Sequence, residues 1–252
     1  MWLDGLYMVE PFYAEYAVVN KQPQDFNDII NHFVWMEKYS RDAKTGLLYH
    51  GWDESKLQRW ANPQTGLSPE FWSRSMGWYM MALVDVLDFI PKDHPRRNEI
   101  INILNRLSTA LIKFQDVKSG VWWQVTDKAY KEKNYLESSG TAMFVFELAK
   151  AVRLKYIPQS FNTALQKAYN GMIKEFVTKD TDGNYHYIQA VAGAGLGGVP
   201  YRDGSYEYYV NEPRRDDDLK AIGPFIQACI EMELLKKKPL SPKGGLSFEN
   251  HR

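Results

Sequence analysis

Ser75-Met76-Gly77-Trp78-Tyr79-Met80-Met81-Ala82-Leu83-Val84-Asp85-Val86-Leu87-Asp88-Phe89-Ile90 holds only two charges, Asp85 and Asp88, both in its second half. A helix of that composition is apolar on every side, so other protein must enclose it. The next helical stretch, residues 95–114, reads differently. Ile100, Ile103, Leu104, Leu107, Leu111 and Phe114 recur there at helical spacing and leave a polar back, with Asp93 placed as an N-cap. An enclosed helix followed by a surface helix is the unit from which the rest of the chain can be read.

Five more helical patterns extend it. Residues 6–19 form the first, with Pro11 expected at the restart of its main segment; residues 26–39 form the second. Residues 141–152 and 219–235 are again apolar on most sides, whereas residues 161–177 carry a single stripe. The odd members of the seven should therefore be inner and the even ones outer. A turn follows each outer helix: Asp42-Ala43-Lys44-Thr45-Gly46 before Leu47-Leu48-Tyr49-His50, Asp116-Val117-Lys118-Ser119-Gly120 before Val121-Trp122-Trp123-Gln124, and a looser copy, Asp180-Thr181-Asp182-Gly183, before Tyr185-His186-Tyr187. The three aspartates lie 74 and 64 residues apart, one helix hairpin plus a turn and a short aromatic strand. Hairpins stacked in this way make an all-α toroid or a solenoid.

Composition narrows the function. Over 252 residues, 31 Lys plus Arg balance 31 Asp plus Glu, so no basic field invites nucleic acid or a membrane surface. No apolar run reaches spanning length, and no signal-peptide pattern is visible at the N-terminus, which leaves cytoplasm and periplasm both open. Cys229 is the only cysteine, so no intrachain disulfide can form. His50 and His186 lack partners at ligand spacing, and neither a metal nor a cofactor is expected. Aromatic content is high at 14%, with 8 Trp and 16 Tyr; most of these rings fill a core, and the rest are available to stack on sugar faces.

The unusual residues collect just before inner helices: Trp2 and Asp4, then His50, Trp52, Trp72 and Arg74, then Trp123, Glu137 and Ser138, then Tyr206 to Asp218. In a toroid these segments meet at one mouth, at the positive ends of the inner helix dipoles, a setting that favours an anion. An acidic sugar fits: a carboxylate for Arg74, a flat ring for the tryptophans, hydroxyls for the remainder. Each residue also has a plainer reading. Asp4 could cap the first helix, His50 could be a satisfied structural histidine, Arg74 could sit in a surface ion pair, and Trp78 could belong to the core. Glu137 and Ser138 read best as caps of the fifth helix, and residues 212–218 as a solvated loop.

Taken together, Trp2-Leu3-Asp4-Gly5-Leu6-Tyr7-Met8, Tyr49-His50-Gly51-Trp52, Trp72-Ser73-Arg74-Ser75-Met76-Gly77-Trp78, Glu137-Ser138-Ser139-Gly140-Thr141-Ala142-Met143 and Gly204-Ser205-Tyr206-Glu207-Tyr208-Tyr209 resemble the motifs of the unsaturated rhamnogalacturonyl hydrolases, glycoside hydrolase family 105. The resemblance implies an (α/α)6 barrel. It further implies removal of the C4=C5 unsaturated uronic acid that polysaccharide lyases leave on oligosaccharides, by hydration of the double bond. On that resemblance Asp4 corresponds to the general acid/base, with its pKa expected to rise beside Trp2, and Trp2, His50, Trp72, Arg74 and Trp78 correspond to substrate-binding residues.

The family's ring has twelve helices, so about five are expected upstream of Trp2, given the repeat size. The seven visible ones, in residues 1–238, make an incomplete barrel with inner faces exposed, which predicts poor stability, pairing with the missing segment or association with another copy; monomer and homodimer both stay open. Residues 239–252 read as a surface tail. Two alternatives stand beside the hydrolase: a non-catalytic carbohydrate-binding or scaffold toroid, and another α/α-barrel enzyme such as an epimerase or lyase.

Overall fold

Helix α3 (Ser73–Phe89) is buried along nearly its whole length, as its composition requires. Around it the computed structural model, which describes residues 1–237, arranges α1 (Leu3–Val19), α2 (Asp25–Ser40), α4 (Arg97–Leu111), α5 (Ser138–Arg153), α6 (Asn162–Phe176), α7 (Tyr206–Asn211) and α8 (Leu219–Lys236). Helices α1, α3, α5 and α8 pack side by side as an inner row. Helix α2 lies outside α1, α4 outside α2 and α3, and α6 outside α5. This is an arc of an α/α toroid. The 239–252 tail lies outside the described residues.

Two features hold the inner row together. Gly77 lets α3 approach α5 closely, since a Cβ there would come within 2.8 Å of the Met143 side chain. The two charges of α3 are met from α5, where Lys150 Nζ lies 2.7 Å from Asp85 and 2.6 Å from Asp88. Burial raises the Asp85 carboxyl and Lys150 pulls it back. The enclosed helix can therefore carry aspartates at no cost in unpaired charge.

The repeated turns are built as their composition dictates. The Asp42 carboxylate accepts the N–H groups of Lys44 and Thr45 and the Thr45 hydroxyl, and Asp116 does the same for Lys118 and Ser119. Gly46 and Gly120 close these turns at φ of 77° and 83°, a conformation that strains any residue with a Cβ. A further copy, Asn62-Pro63-Gln64-Thr65-Gly66, has the two backbone bonds, with Asn62 Oδ1 accepting from Gln64 and Thr65 N–H, and the same left-handed glycine; the sequence pattern hides it because Asn replaces Asp.

Three expectations need correction. Helix α1 runs unbroken through Pro11. The N-cap of α4 is Arg96, so Asp93 does not cap it; three more residues turn before the helix begins. The aromatic segments after the first two turns make isolated bridges (Leu48 to Arg41, Trp123 to Leu136), and only Tyr185–Tyr187 forms a strand, β2, paired with β1 (Val177–Lys179). As expected of an incomplete barrel, α1 and α8 are inner by position and open on one side: Met8, Phe12 and Val19 on α1, and Ile226, Ile230 and Leu234 on α8, face solvent at the two ends of the row.

Candidate active site

A belt of short extended segments crosses the N-terminal ends of the inner helices. Residues 1–3 pair with 50–52 (Leu3 N–H to His50 C=O 3.0 Å, Trp52 N–H to Met1 C=O 2.9 Å), and Trp52 pairs with Leu67. Further on, Trp72 pairs with Val125, Trp123 with Leu136, and β3 (Ala190–Val191) with β4 (Arg214–Arg215). The residues that cap α1, α3, α5 and α8 are Trp2, Trp72, Glu137 and Asp218. The belt thus gathers segments from all over the chain at one end of the row.

Asp4 stands in the first turn of α1 and makes no capping bond. Its Oδ1 instead lies 3.2 Å from Nε2 of His50, and its side chain keeps 21% of its surface exposed. His50 is wholly buried: Nδ1 is 2.6 Å from the Tyr209 hydroxyl, and the ring lies between Trp2 (centroids 5.5 Å apart) and Trp72 (4.8 Å). Trp72 in turn sits 5.9 Å from Tyr209 and hydrogen-bonds Gln124 Oε1 through its indole N–H, while Gln124 also donates to the Tyr209 carbonyl. The Arg74 guanidinium lies 5.9 Å from the Trp72 ring. Trp78 stacks 4.4 Å from Tyr7, one turn along α1 from Asp4.

These residues form two layers. Trp2, Asp4, Tyr7 and Trp78 are partly exposed, and His50, Trp72, Arg74 and Tyr209 are buried behind them. A cleft of about 340 Å³, lined by Trp2, Trp52, Trp60 and Leu196 among others, borders the exposed layer. Five of the six residues singled out from the sequence, Trp2, Asp4, His50, Trp72 and Arg74, form one chain of contacts, and Trp78 lies beside Tyr7 on the same helix as Asp4. Yet His50 has both ring nitrogens satisfied within the protein, Nδ1 by Tyr209 and Nε2 by Asp4.

Arg74 departs from expectation too. Its Nε donates to Ser139 Oγ at 2.6 Å, its Nη2 donates to the Val191 carbonyl, and the same nitrogen lies 3.8 Å from Glu137 Oε1. Nη1 alone has no hydrogen-bond partner among the described residues. Burial lowers the Arg74 pKa, and Glu137, Asp218, Tyr135 and Asp4 act against that. Glu137 caps α5 as read, accepting from Ser139 and Gly140 N–H, and also accepts from Val191 N–H; Ser138 makes no cap, its hydroxyl being buried and unpartnered.

Residues 212–218 are a structured segment, since Asp216 and Asp217 accept from the backbone of Gln189 and Tyr187, Asp217 pairs with His186, and Asp218 caps α8. Trp123 serves the Asp116 turn, and Trp52 stacks on Tyr39. Tyr209 and Gln124 were not read as site residues; the motif containing Tyr209 was visible, but nothing local tied its hydroxyl to a residue 159 positions away.

The profile of Glycosyl Hydrolase Family 88 matches residues 1–236. The chain is 36% identical to Protein Atu3128 of Agrobacterium fabrum over 90% of its own length and 99% of that protein's. Over 166 residues it is 30% identical to the unsaturated rhamnogalacturonyl hydrolase YesR of Bacillus subtilis, spanning 45% of that relative. A crystallised family 105 glycoside hydrolase from C. acetobutylicum superimposes with a TM-score of 0.91 at 48% identity, over 93% of this chain and 65% of the other. Against the last two, the chain covers less than two thirds of the partner's length.

Proposed function

The chain belongs to glycosyl hydrolase family 88 by its profile match and is similar to a family 105 structure at 48% identity, and from that membership we propose that it removes a C4=C5 unsaturated uronic acid from the non-reducing end of lyase-generated pectin oligosaccharides. The observation that carries this reading is the meeting of Asp4 with His50 and three indoles at the N-terminal end of the inner row.

The chemistry asks for one proton donor. Carbon 5 of the unsaturated sugar bears the ring oxygen, so the double bond is an enol ether. Protonation at C4 by the Asp4 carboxyl places the developing cation where that oxygen shares it. Asp4, now a carboxylate, takes a proton from water as the water adds to C5. The product is a hemiketal whose opening releases the neighbouring sugar. No second carboxylate at direct-displacement spacing is needed, because C1 is not attacked. Trp2 and Trp78 offer faces for the sugar ring, and Arg74 offers its Nη1 to the uronate carboxylate. His50 holds Asp4 in place.

Incubation with a lyase-generated unsaturated disaccharide tests this: steady loss of the double-bond absorbance supports hydration. A second reading, carbohydrate binding without turnover, is favoured by the open ends of the inner row at α1 and α8; it predicts ligand binding with the absorbance unchanged.

A further inference from the structure

The hydroxyl of Tyr209 touches nothing polar among the described residues except His50 Nδ1, at 2.6 Å. Both side chains are fully buried, and burial pushes the Tyr209 pKa well up, so the phenol keeps its proton. A buried hydroxyl proton without an acceptor is costly, and among the described residues the acceptor within reach is the Nδ1 lone pair. A neutral imidazole that accepts at Nδ1 carries its proton on Nε2, and Nε2 faces Asp4 Oδ1 at 3.2 Å. The reverse tautomer would strand the Tyr209 proton and turn the Nε2 lone pair toward the carboxylate. It would be tolerated only with a proton on Oδ1, held by the histidine and withheld from any ligand.

From this geometry we infer that Tyr209 is a positioning residue: by donating to His50 Nδ1 it fixes the imidazole with its proton on Nε2, which occupies Asp4 Oδ1 and leaves Oδ2 as the oxygen that exchanges a proton with bound ligand. The surroundings support a fixed phenol. The backbone carbonyl of Tyr209 is held by Gln124, whose other amide atom holds Trp72, so one side chain ties one aromatic wall of the His50 slot to the residue that carries the phenol. The tautomer assignment stands on contacts alone, and the role of Oδ2 rests on the proposed hydration reaction.

The test uses the whole chain with 15N-labelled histidine. His50 is one of 5 histidines, and its resonances are identified by their loss in His50→Gln. At a pH where the ring is neutral, the expected spectrum has a protonated Nε2 and an unprotonated, hydrogen-bonded Nδ1. Tyr209→Phe should turn this into a tautomer mixture and lower kcat on the unsaturated disaccharide about tenfold or more, with KM nearly unchanged. A protonated Nδ1 in the native chain overturns the inference, and this holds even if the Phe variant fails to fold. So does a folded Tyr209→Phe protein with the native tautomer and the native kcat. The predicted tautomer in a chain without turnover would uphold the assignment and sink the proposed reaction instead.

Discussion

Arg74 and Glu137 lie 3.8 Å apart with almost no solvent on either side chain, and the same Glu137 carboxylate accepts three backbone N–H groups. The pair ties the N-terminal ends of α3 and α5 to β3. Removing one partner leaves a buried, uncompensated charge, the case in which ion pairs matter most to stability. Glu137→Gln should therefore cost about 3 kcal/mol in denaturant unfolding, and Arg74→Lys should cost nearly as much because an ammonium cannot reproduce the bonds to Ser139 and Val191. A loss below about 1 kcal/mol for Glu137→Gln would mean the pair contributes little.

Glu147, on the fully enclosed face of α5, receives one hydrogen bond among the described residues, from Ser108, and its Oε2 has no partner among them. Burial raises its carboxyl well above the usual range. A carboxyl whose folded pKa is raised binds more protons in the folded chain, so stability falls as pH rises above the unfolded value of about 4.3. Glu147→Gln should raise the melting temperature by about 2–4 °C near neutral pH and flatten its decline with rising pH. Melting curves between pH 5 and 8 that are parallel for the two proteins would contradict this.

Asp116 shows the opposite sign. Burial raises its carboxyl, but donors from Ser119, Tyr130 and Trp123 outweigh that and bring it to about 2. Its stabilisation is present above the unfolded value near pH 4 and is lost as pH falls toward 2. At pH 6, Asp116→Asn should cost about 2 kcal/mol, and the cost should shrink steadily below pH 4. Urea unfolding of both proteins at pH 6 and pH 3.5 measures the difference; an equal cost at both values would refute the carboxylate's role.

Met8, Phe12 and Val19 on α1, and Ile226, Ile230 and Leu234 on α8, leave apolar strips at both ends of the inner row. Exposed strips of this kind drive association. Sedimentation should show concentration-dependent self-association of the native chain, reduced in the double variant Phe12→Lys, Ile230→Lys. A native chain that remains monomeric at every concentration would count against this expectation.

The toroid was readable from the sequence because the contrast between α3, apolar all round, and α4, striped, survives in any window of residues. The turn glycines and their aspartates were readable for the same local reason. Other features depend on partners far away in sequence. That α1 and α8 are open was expected from the twelve-helix ring of the resembling family, and not from their composition, which favours burial and does not reveal a missing neighbour. Asp4 escaped the capping role because the belt holds it against His50, 46 residues away. The burial of Arg74 reflects Glu137 and Ser139 on another helix, and the segment at 212–218 is ordered by backbone groups of residues 187–189. Charge alone suggested solvent for both, and residues 213–217 are indeed exposed while Arg74 is buried.

The central claim is that the Asp4 carboxyl protonates an unsaturated uronate. Its most direct measurement follows the double-bond absorbance of a lyase-generated unsaturated disaccharide with the native chain and with Asp4→Asn, circular dichroism showing both folded. The account predicts steady loss with the native chain and a rate reduced by at least about a hundredfold in the variant. Equal rates for the two folded proteins would contradict it.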